Sequence, residues 1–219
     1  MKKSILSLSA IALIAVSSVF TGCSKKDDTT PPVITLNGAA SETISLQGTY
    51  TELNATATDD VDGAVTPVIS GTVNVNLTGT YTITYTATDK AGNAGTATRT
   101  VKVVNDADAM SGTYACTITS VTPAVQYTQT VTASTTVNKR IGFSLFSDYP
   151  LNTGIYADVV GTTINLTSQT ALQVGTPGNL ADRTFAGTGT ITDATHFGLT
   201  YTETTNSVTS NTVETFVKQ

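Results

Sequence analysis

Residues 80–89 read TYTITYTATD, and the fold turns on this stretch. Tyr81, Ile83, Tyr85 and Ala87 fall on one side of an extended chain, while Thr80, Thr82, Thr84, Thr86 and Thr88 fall on the other. A period of two with one apolar face marks a half-buried strand. Downstream, TATRTVKVV at 96–104 repeats the alternation, with Val101 and Val103 inward and Lys102 outward, and KAGNAG between the two supplies the Gly and Asn of a hairpin turn. Together they predict an antiparallel pair. Upstream, VITL, TISL, NATAT, VTPVIS and VNVNL are separated by Gly, Asp and Asn clusters at intervals of about eight to twelve residues, the spacing of a β-sandwich.

Composition agrees with the pattern. Of the 219 residues 12% are charged, 39% are hydrophobic, none is Trp, and roughly a fifth are Thr, whose branched Cβ suits pleated surfaces. That length allows one large domain or two small ones. The net charge of -5 becomes about -7 once Lys2 and Lys3 leave with the leader, so there is nothing to neutralise a phosphate backbone, and nucleic-acid binding is not expected.

The leader is itself legible. Lys2 and Lys3 precede the apolar run ILSLSAIALIAVSSVF and then TGCS, the n-region, h-region and small-residue cut site of an export signal. Its serines leave it short of the roughly 20 apolar residues that span a bilayer. Residues 1–22 are therefore read as a signal peptide and 23–32 as a tether, in which Pro31 and Pro32 stiffen the chain before the first strand. The Cys after Thr21 and Gly22 resembles the lipobox of bacterial lipoproteins, which implies that Cys23 is acylated and holds the chain on a membrane. Ser24, Lys25, Lys26, Asp27 and Asp28 resemble the charged export tag of Bacteroidetes surface lipoproteins, and the alternative is a charged tether that merely keeps the chain solvated. Asp28, Thr29 and Thr30 also resemble that phylum's O-glycosylation acceptor.

The first unit, 33–105, carries a family likeness in DTTPPVITLNG, ATATDDVDGAVTP and LTGTYTITYTATDKAGNAGTATRTVKV. These strings resemble the bacterial Ig-like modules of surface proteins, including the type shared with a pesticidal crystal protein. The resemblance implies a sandwich used as spacer or adhesive unit, with no catalytic residue to carry over.

At NDADAMSG, 105–112, the alternation breaks, and a short linker is expected to leave the two units little relative freedom. The second unit, 112–219, offers about eight strand signals: TYACTITSV, QYTQTVTAST, RIGFSLFS, GIYADVV, TTINLTSQ, RTFAGTGTIT, HFGLTYTET and NTVETFVK. With no helix period after the leader, the fold class is all-β, an Ig-like sandwich followed by an antiparallel barrel or sandwich. The order GTYACT, INLTSQ, FAGTGTIT and FGLTYTET resembles the C-terminal lipocalin-like β-domain of small Bacteroidetes lipoproteins. That resemblance implies company with TonB-dependent importers and their glycan- or peptide-capturing lipoproteins.

Few residues carry chemistry. Cys116 shares a strand face with Tyr114 and Ile118 and reads as a small buried residue, and His196 stands alone, without a zinc cluster or a GxSxG serine. Asp148, Asp158, Asp182, Asp193, Glu203 and Glu214 could supply a glycosidase pair, but they sit at ordinary turn and strand positions, and no catalytic residue is assigned. Asp59, Asp60, Asp62 and Asp89 concentrate acid near one turn, so a weak Ca²⁺ site stands beside the alternative of Asp62-Gly63 as a tight turn with capping carboxylates; no other cofactor is expected. The densest aromatic cluster, FSLFSDYPLNTGIY at 143–156, makes Phe146, Tyr149, Asn152 and Tyr156 candidates for binding a glycan or peptide, with core and turn roles as the alternative. The expected protein is a non-catalytic surface lipoprotein on the outer membrane that binds nutrient or an importer. Its rivals are an adhesive or structural protein without a small-molecule site and, third, a hydrolase.

Overall fold

The computed structural model describes residues 27–147, 149–176 and 179–219. Strands β1 (Val33–Leu36), β3 (Ala55–Asp59) and β4 (Gly63–Val65) make one sheet of a sandwich, and β2 (Ser41–Ser45), β7 (Ala94–Val104), β6 (Gly79–Thr88) and β5 (Val68–Ser70) make the other in that order. The alternation of the opening stretch is realised in β6, where Ile83, Tyr85 and Ala87 are buried and pair in register with β7 from Thr88↔Ala94 to Gly79↔Val103. The seven strands differ from the expected set in one place. VNVNL is not a strand: Asn74 draws Asn76 N–H to its own Oδ1 at 3.0 Å, a local turn that replaces ladder bonds, and VTPVIS instead divides between β4 and β5.

With no disulfide or Trp in the sandwich, a polar cluster supplements its aliphatic core. Arg99 is wholly buried and donates to Asn37 O at 2.6 Å, while Glu52 accepts from the hydroxyls of Tyr50 and Tyr85, both at 2.5 Å. Burial works against the Glu52 charge, but those two hydroxyls, the Asn54 N–H and Arg99 outweigh it and hold the carboxyl below its usual range.

The second unit is a closed barrel of eight antiparallel strands: β8 (Gly112–Ile118), β9 (Val125–Ala133), β10 (Arg140–Phe146), β11 (Tyr149–Val160), β12 (Thr163–Thr176), β13 (Asn179–Ile191), β14 (His196–Thr205) and β15 (Val208–Lys218). Each strand pairs with its sequence neighbours, and β15 closes onto β8 from Glu214↔Ile118 to Lys218↔Tyr114. No edge is left open, which removes the template for intermolecular pairing. Of the two forms the sequence left open, the barrel is the one adopted. The expected DYPLNTG loop is largely the first part of β11, which takes five steps from Ile155 to Pro150 while β10 takes two from Phe143 to Leu145.

Most inward positions are apolar and outward positions are mostly Thr, Gln and Asn, unlike the apolar outer band of a lipid-facing barrel. Phe197 and Phe216 stack at 4.2 Å, and Phe146 packs against Tyr201 at 4.7 Å and Phe185 at 4.9 Å. Each such aromatic pair adds about 0.5–1.5 kcal/mol beyond burial.

An up-and-down barrel sorts its connections to two ends. The linker, both chain ends of the barrel, and the β9–β10, β11–β12 and β13–β14 turns lie at one; the other four hairpins lie at the far end. The linker end is plugged: a single 3-10 turn, Asp108–Met110, sends Met110 and Ala107 into the barrel core. Asn105, 3% exposed, donates to Ser134 O at 2.8 Å, Val137 O at 3.0 Å and Arg140 O at 3.3 Å, and its Oδ1 accepts Ala107 N–H and Lys139 N–H. Across the junction Ser45 donates to Asp106 at 2.6 Å and Thr78 N–H to Thr135 O at 2.9 Å.

Candidate functional site

The far mouth of the barrel holds the densest buried polar chemistry among the described residues. Alternation along β14 sends Leu199, Tyr201 and Glu203 inward, and along β15 it sends Thr212, Glu214 and Phe216 inward. Glu203, near the β14–β15 hairpin, is clamped between Arg183 of β13 and Ser147 Oγ at 3.0 Å. One layer deeper, Glu214 is fully buried and accepts from the hydroxyls of Tyr127 and Tyr201, the latter at 3.0 Å. Burial first, and then the Glu214 charge, push both phenols far above their ordinary range, so they remain donors to the carboxylate. Gln129 Nε2 reaches Cys116 Sγ at 3.4 Å, while its Oε1 is buried without a hydrogen-bond partner. The aromatic core reaches this level, since Phe185 is the register partner of Glu203 and Phe146 packs against Phe185 and Tyr201.

Glu203 and Glu214, read from sequence as ordinary strand positions, are thus interior groups. The signal was present in the alternation: Phe197, Leu199, Tyr201, Glu203 is one face continued to its end. The remaining carboxylates are elsewhere. Asp158 takes Arg140 in a two-point contact at 2.6 and 3.0 Å on the outer wall, Asp193 holds His196 Nδ1 at 2.9 Å in an exposed turn, Asp182 is exposed, and Asp148 lies outside the described residues.

Of the aromatic candidates, Phe146 and Tyr156 do not share a surface. Phe146 is fully buried in the core, whereas Tyr156 points outward from β11 with the Arg140 guanidinium 3.9 Å above its ring. The side chains of Tyr149 and Asn152 lie outside the described residues, as do Cys23, Ser24, Lys25 and Lys26. What the sequence reading missed is exposed carbon on three of the far hairpins: Val121, Leu172, Leu180 and Val208 are 46%, 50%, 51% and 71% exposed, and alternation with inward Ala171 and Ala181 puts Leu172 and Leu180 on the outer side of the wall. Cys116 is buried and its thiol is pushed up to about 12, chiefly by burial, so it is no nucleophile.

In the sandwich the structure divides the four acidic candidates. Asp62 receives Lys90 Nζ at 3.0 Å and Lys90 N–H at 2.7 Å, and Asp89 receives the Asn93 N–H and side-chain amide at 2.8 and 2.7 Å. Asp59 and Asp60 are joined instead by Asp28 of the tether, with one carboxylate oxygen from each within 4.8 Å of the others.

An Ig-like sandwich joined to a closed antiparallel barrel defines the class of protein, and sequence comparison agrees for the first unit. Residues 34–103 match the family described as bacterial surface protein, Ig-like domain, so this segment is an Ig-like domain. No curated protein sequence matches the chain. Among solved structures it is similar to the lipoprotein BT2262 from Bacteroides thetaiotaomicron, with 20% identity and a TM-score of 0.34 over 86% of this chain and 100% of that one. It is also similar to CBM51-2, solved in complex with GlcNAc, and INT domains from Clostridium perfringens ZmpB, at 15% identity and a TM-score of 0.28 over 85% of this chain and 43% of that one.

Proposed function

We propose that this is a non-catalytic lipoprotein of the outer-membrane surface, anchored through Cys23, whose Ig-like domain holds a ligand-binding barrel away from the lipid. The observation that carries the reading is directional. The tether meets the start of β7, where Pro32 O lies so close that a Cβ on Gly95 would come within 2.0 Å, and the barrel is attached at the end of β7, roughly 30 Å away. The Arg183–Glu203 pair lies near the end of the barrel remote from the linker, where the hairpins also carry exposed Val121, Leu172, Leu180 and Val208. An end that combines a charged pair with exposed apolar side chains suits a glycan or peptide that offers both hydroxyl or amide groups and apolar faces. Delivery to a TonB-dependent importer is the role this anchorage fits.

A structural or adhesive role is the second reading, favoured by the packed aromatic floor that fills the lower barrel. Glycan and peptide libraries screened against the whole mature chain separate the two. Capture expects a binder whose affinity falls at least tenfold in Tyr149→Ala or Glu203→Gln; silence across both libraries favours the scaffold. For the anchor, Cys23→Ser should move the protein from the detergent phase to the aqueous phase, and protease shaving of intact cells should remove it.

A further inference from the structure

From the carboxylates that gather where the tether meets the sandwich, we infer that Asp28, Asp59 and Asp60 form a Ca²⁺ site that fastens the tether to the Ig-like domain. Three carboxylates from two distant segments bring one oxygen each within 4.8 Å of one another. Oxygens 2.3–2.6 Å from a common cation are at most about 5 Å apart, so this spacing fits a shared ion.

An acidic cluster alone could be a solvated surface. Asp59 argues otherwise, because it is only 4% exposed. Its Oδ1 is occupied by the N–H groups of Val61 at 2.9 Å and Asp62 at 2.8 Å, which leaves Oδ2 as the oxygen it can offer. That oxygen is buried with no hydrogen-bond partner. A desolvated carboxylate oxygen carries a free-energy cost unless a donor or a cation meets it. Lys90, at the neighbouring hairpin, is engaged by Asp62, and among the described residues no ion pair involves Asp28, Asp59 or Asp60.

The tether is positioned for the task without the ion's help. Asn93 donates from its side-chain amide to Asp28 O at 3.1 Å while also holding Asp89 at 2.7 Å, and Thr30 N–H caps Asp28 Oδ1 at 3.0 Å. Three segments therefore converge: tether, β3–β4 turn and β6–β7 hairpin. An all-oxygen donor set completed by water, drawn from elements of unequal stiffness, suits Ca²⁺, which accepts six to eight ligands in irregular geometry, better than Mg²⁺, which demands a near-ideal octahedron. A bound ion ties Asp28, and with it the end of the tether, to the β3–β4 turn of the Ig-like domain. This assignment is independent of the capture reading.

The test is calorimetric titration of the whole mature protein, carrying Cys23→Ser for solubility, with CaCl2 to about 10 mM, alongside thermal melts. One site is expected, with a dissociation constant of about 0.1–1 mM, the range of extracellular modules, and a Tm raised by several degrees over the EDTA-treated protein. Asp28→Asn and Asp60→Asn should weaken binding at least tenfold without changing the melt in EDTA, since neither residue lies in a strand. Glu42→Gln, an acid on the opposite sheet, should leave affinity unchanged. Absence of both heat and Tm shift overturns the site, as does undiminished affinity in Asp28→Asn; equal binding of MgCl2 overturns the choice of ion.

Discussion

Glu52 shows what a single side chain contributes. The Ig-like core has neither disulfide nor Trp, and in their place one carboxylate gathers two tyrosine hydroxyls beside the wholly buried Arg99. Its folded pKa is depressed, so the stability it contributes is present above the unfolded carboxyl's range near pH 4.3 and is lost as pH falls through the lower folded value. Tyr85 acts in the opposite sense. Burial first, and then its bond to Glu52, raise it to about 12, so its contribution is complete below roughly pH 10 and fades as pH climbs towards the folded value. Thermal melts of the wild type should therefore decline at both ends of the pH range. Glu52→Gln should lower the neutral-pH stability by about 1–3 kcal/mol and flatten the acid limb, whereas Tyr85→Phe should lessen the alkaline loss, to which the raised Tyr50, Cys116, Tyr127 and Tyr201 also contribute, at a cost of about 1 kcal/mol. An acid limb unchanged in Glu52→Gln would show that the cluster does not set the pH response.

At the scale of elements, β13 carries an unusual demand. Gly187 and Gly189 face inward, and a Cβ on Gly187 would come within 2.3 Å of Thr200 O and 2.5 Å of Tyr201 Cα. β13 and β14 approach closely there, and only glycine leaves room for Thr200 O and the Tyr201 Cα and Cβ against the β13 backbone. Gly187→Ala should cost about 1–3 kcal/mol, a drop in Tm of roughly 5–15 °C, and differential scanning calorimetry reads it directly. The same β13 shows how far sequence reading extends. TFAGTGTI was recognisable as a strand because its period is two, and all eight barrel strands were recognisable for that reason. Closure was not, because the pairing of β15 with β8 joins residues about a hundred positions apart and leaves no local pattern. The acidic pair was half legible: alternation puts Glu203 and Glu214 inward, but their Arg183 and tyrosine partners come from other strands. Asp28 was the hardest, since nothing near it in sequence points to Asp59 and Asp60.

For the molecule as a whole, the decisive question is where one folding unit ends and the other begins. Val104 ends the last sandwich strand, yet the residues that follow belong physically to the barrel. Asn105 makes five hydrogen bonds to the segments 107 and 134–140, and Met110 and Ala107 sit in the barrel core, with Tyr114 Oη donating to Met110 O at 2.9 Å. A linker that forms the floor of the next domain cannot swing freely, because any large rotation would first have to pull Met110 out of the core. It follows that a chain beginning at Asn105 should melt within a few degrees of the barrel in the whole protein. A chain beginning at Gly112 loses a buried Met, worth about 2–5 kcal/mol by analogy with core truncation, and also the Asn105 hydrogen bonds, so its Tm should fall by at least about 10 °C. Calorimetry on the two chains decides the matter: if they melt alike, the linker is a passive hinge, and the Ig-like domain would hold the far mouth in no fixed direction relative to the membrane.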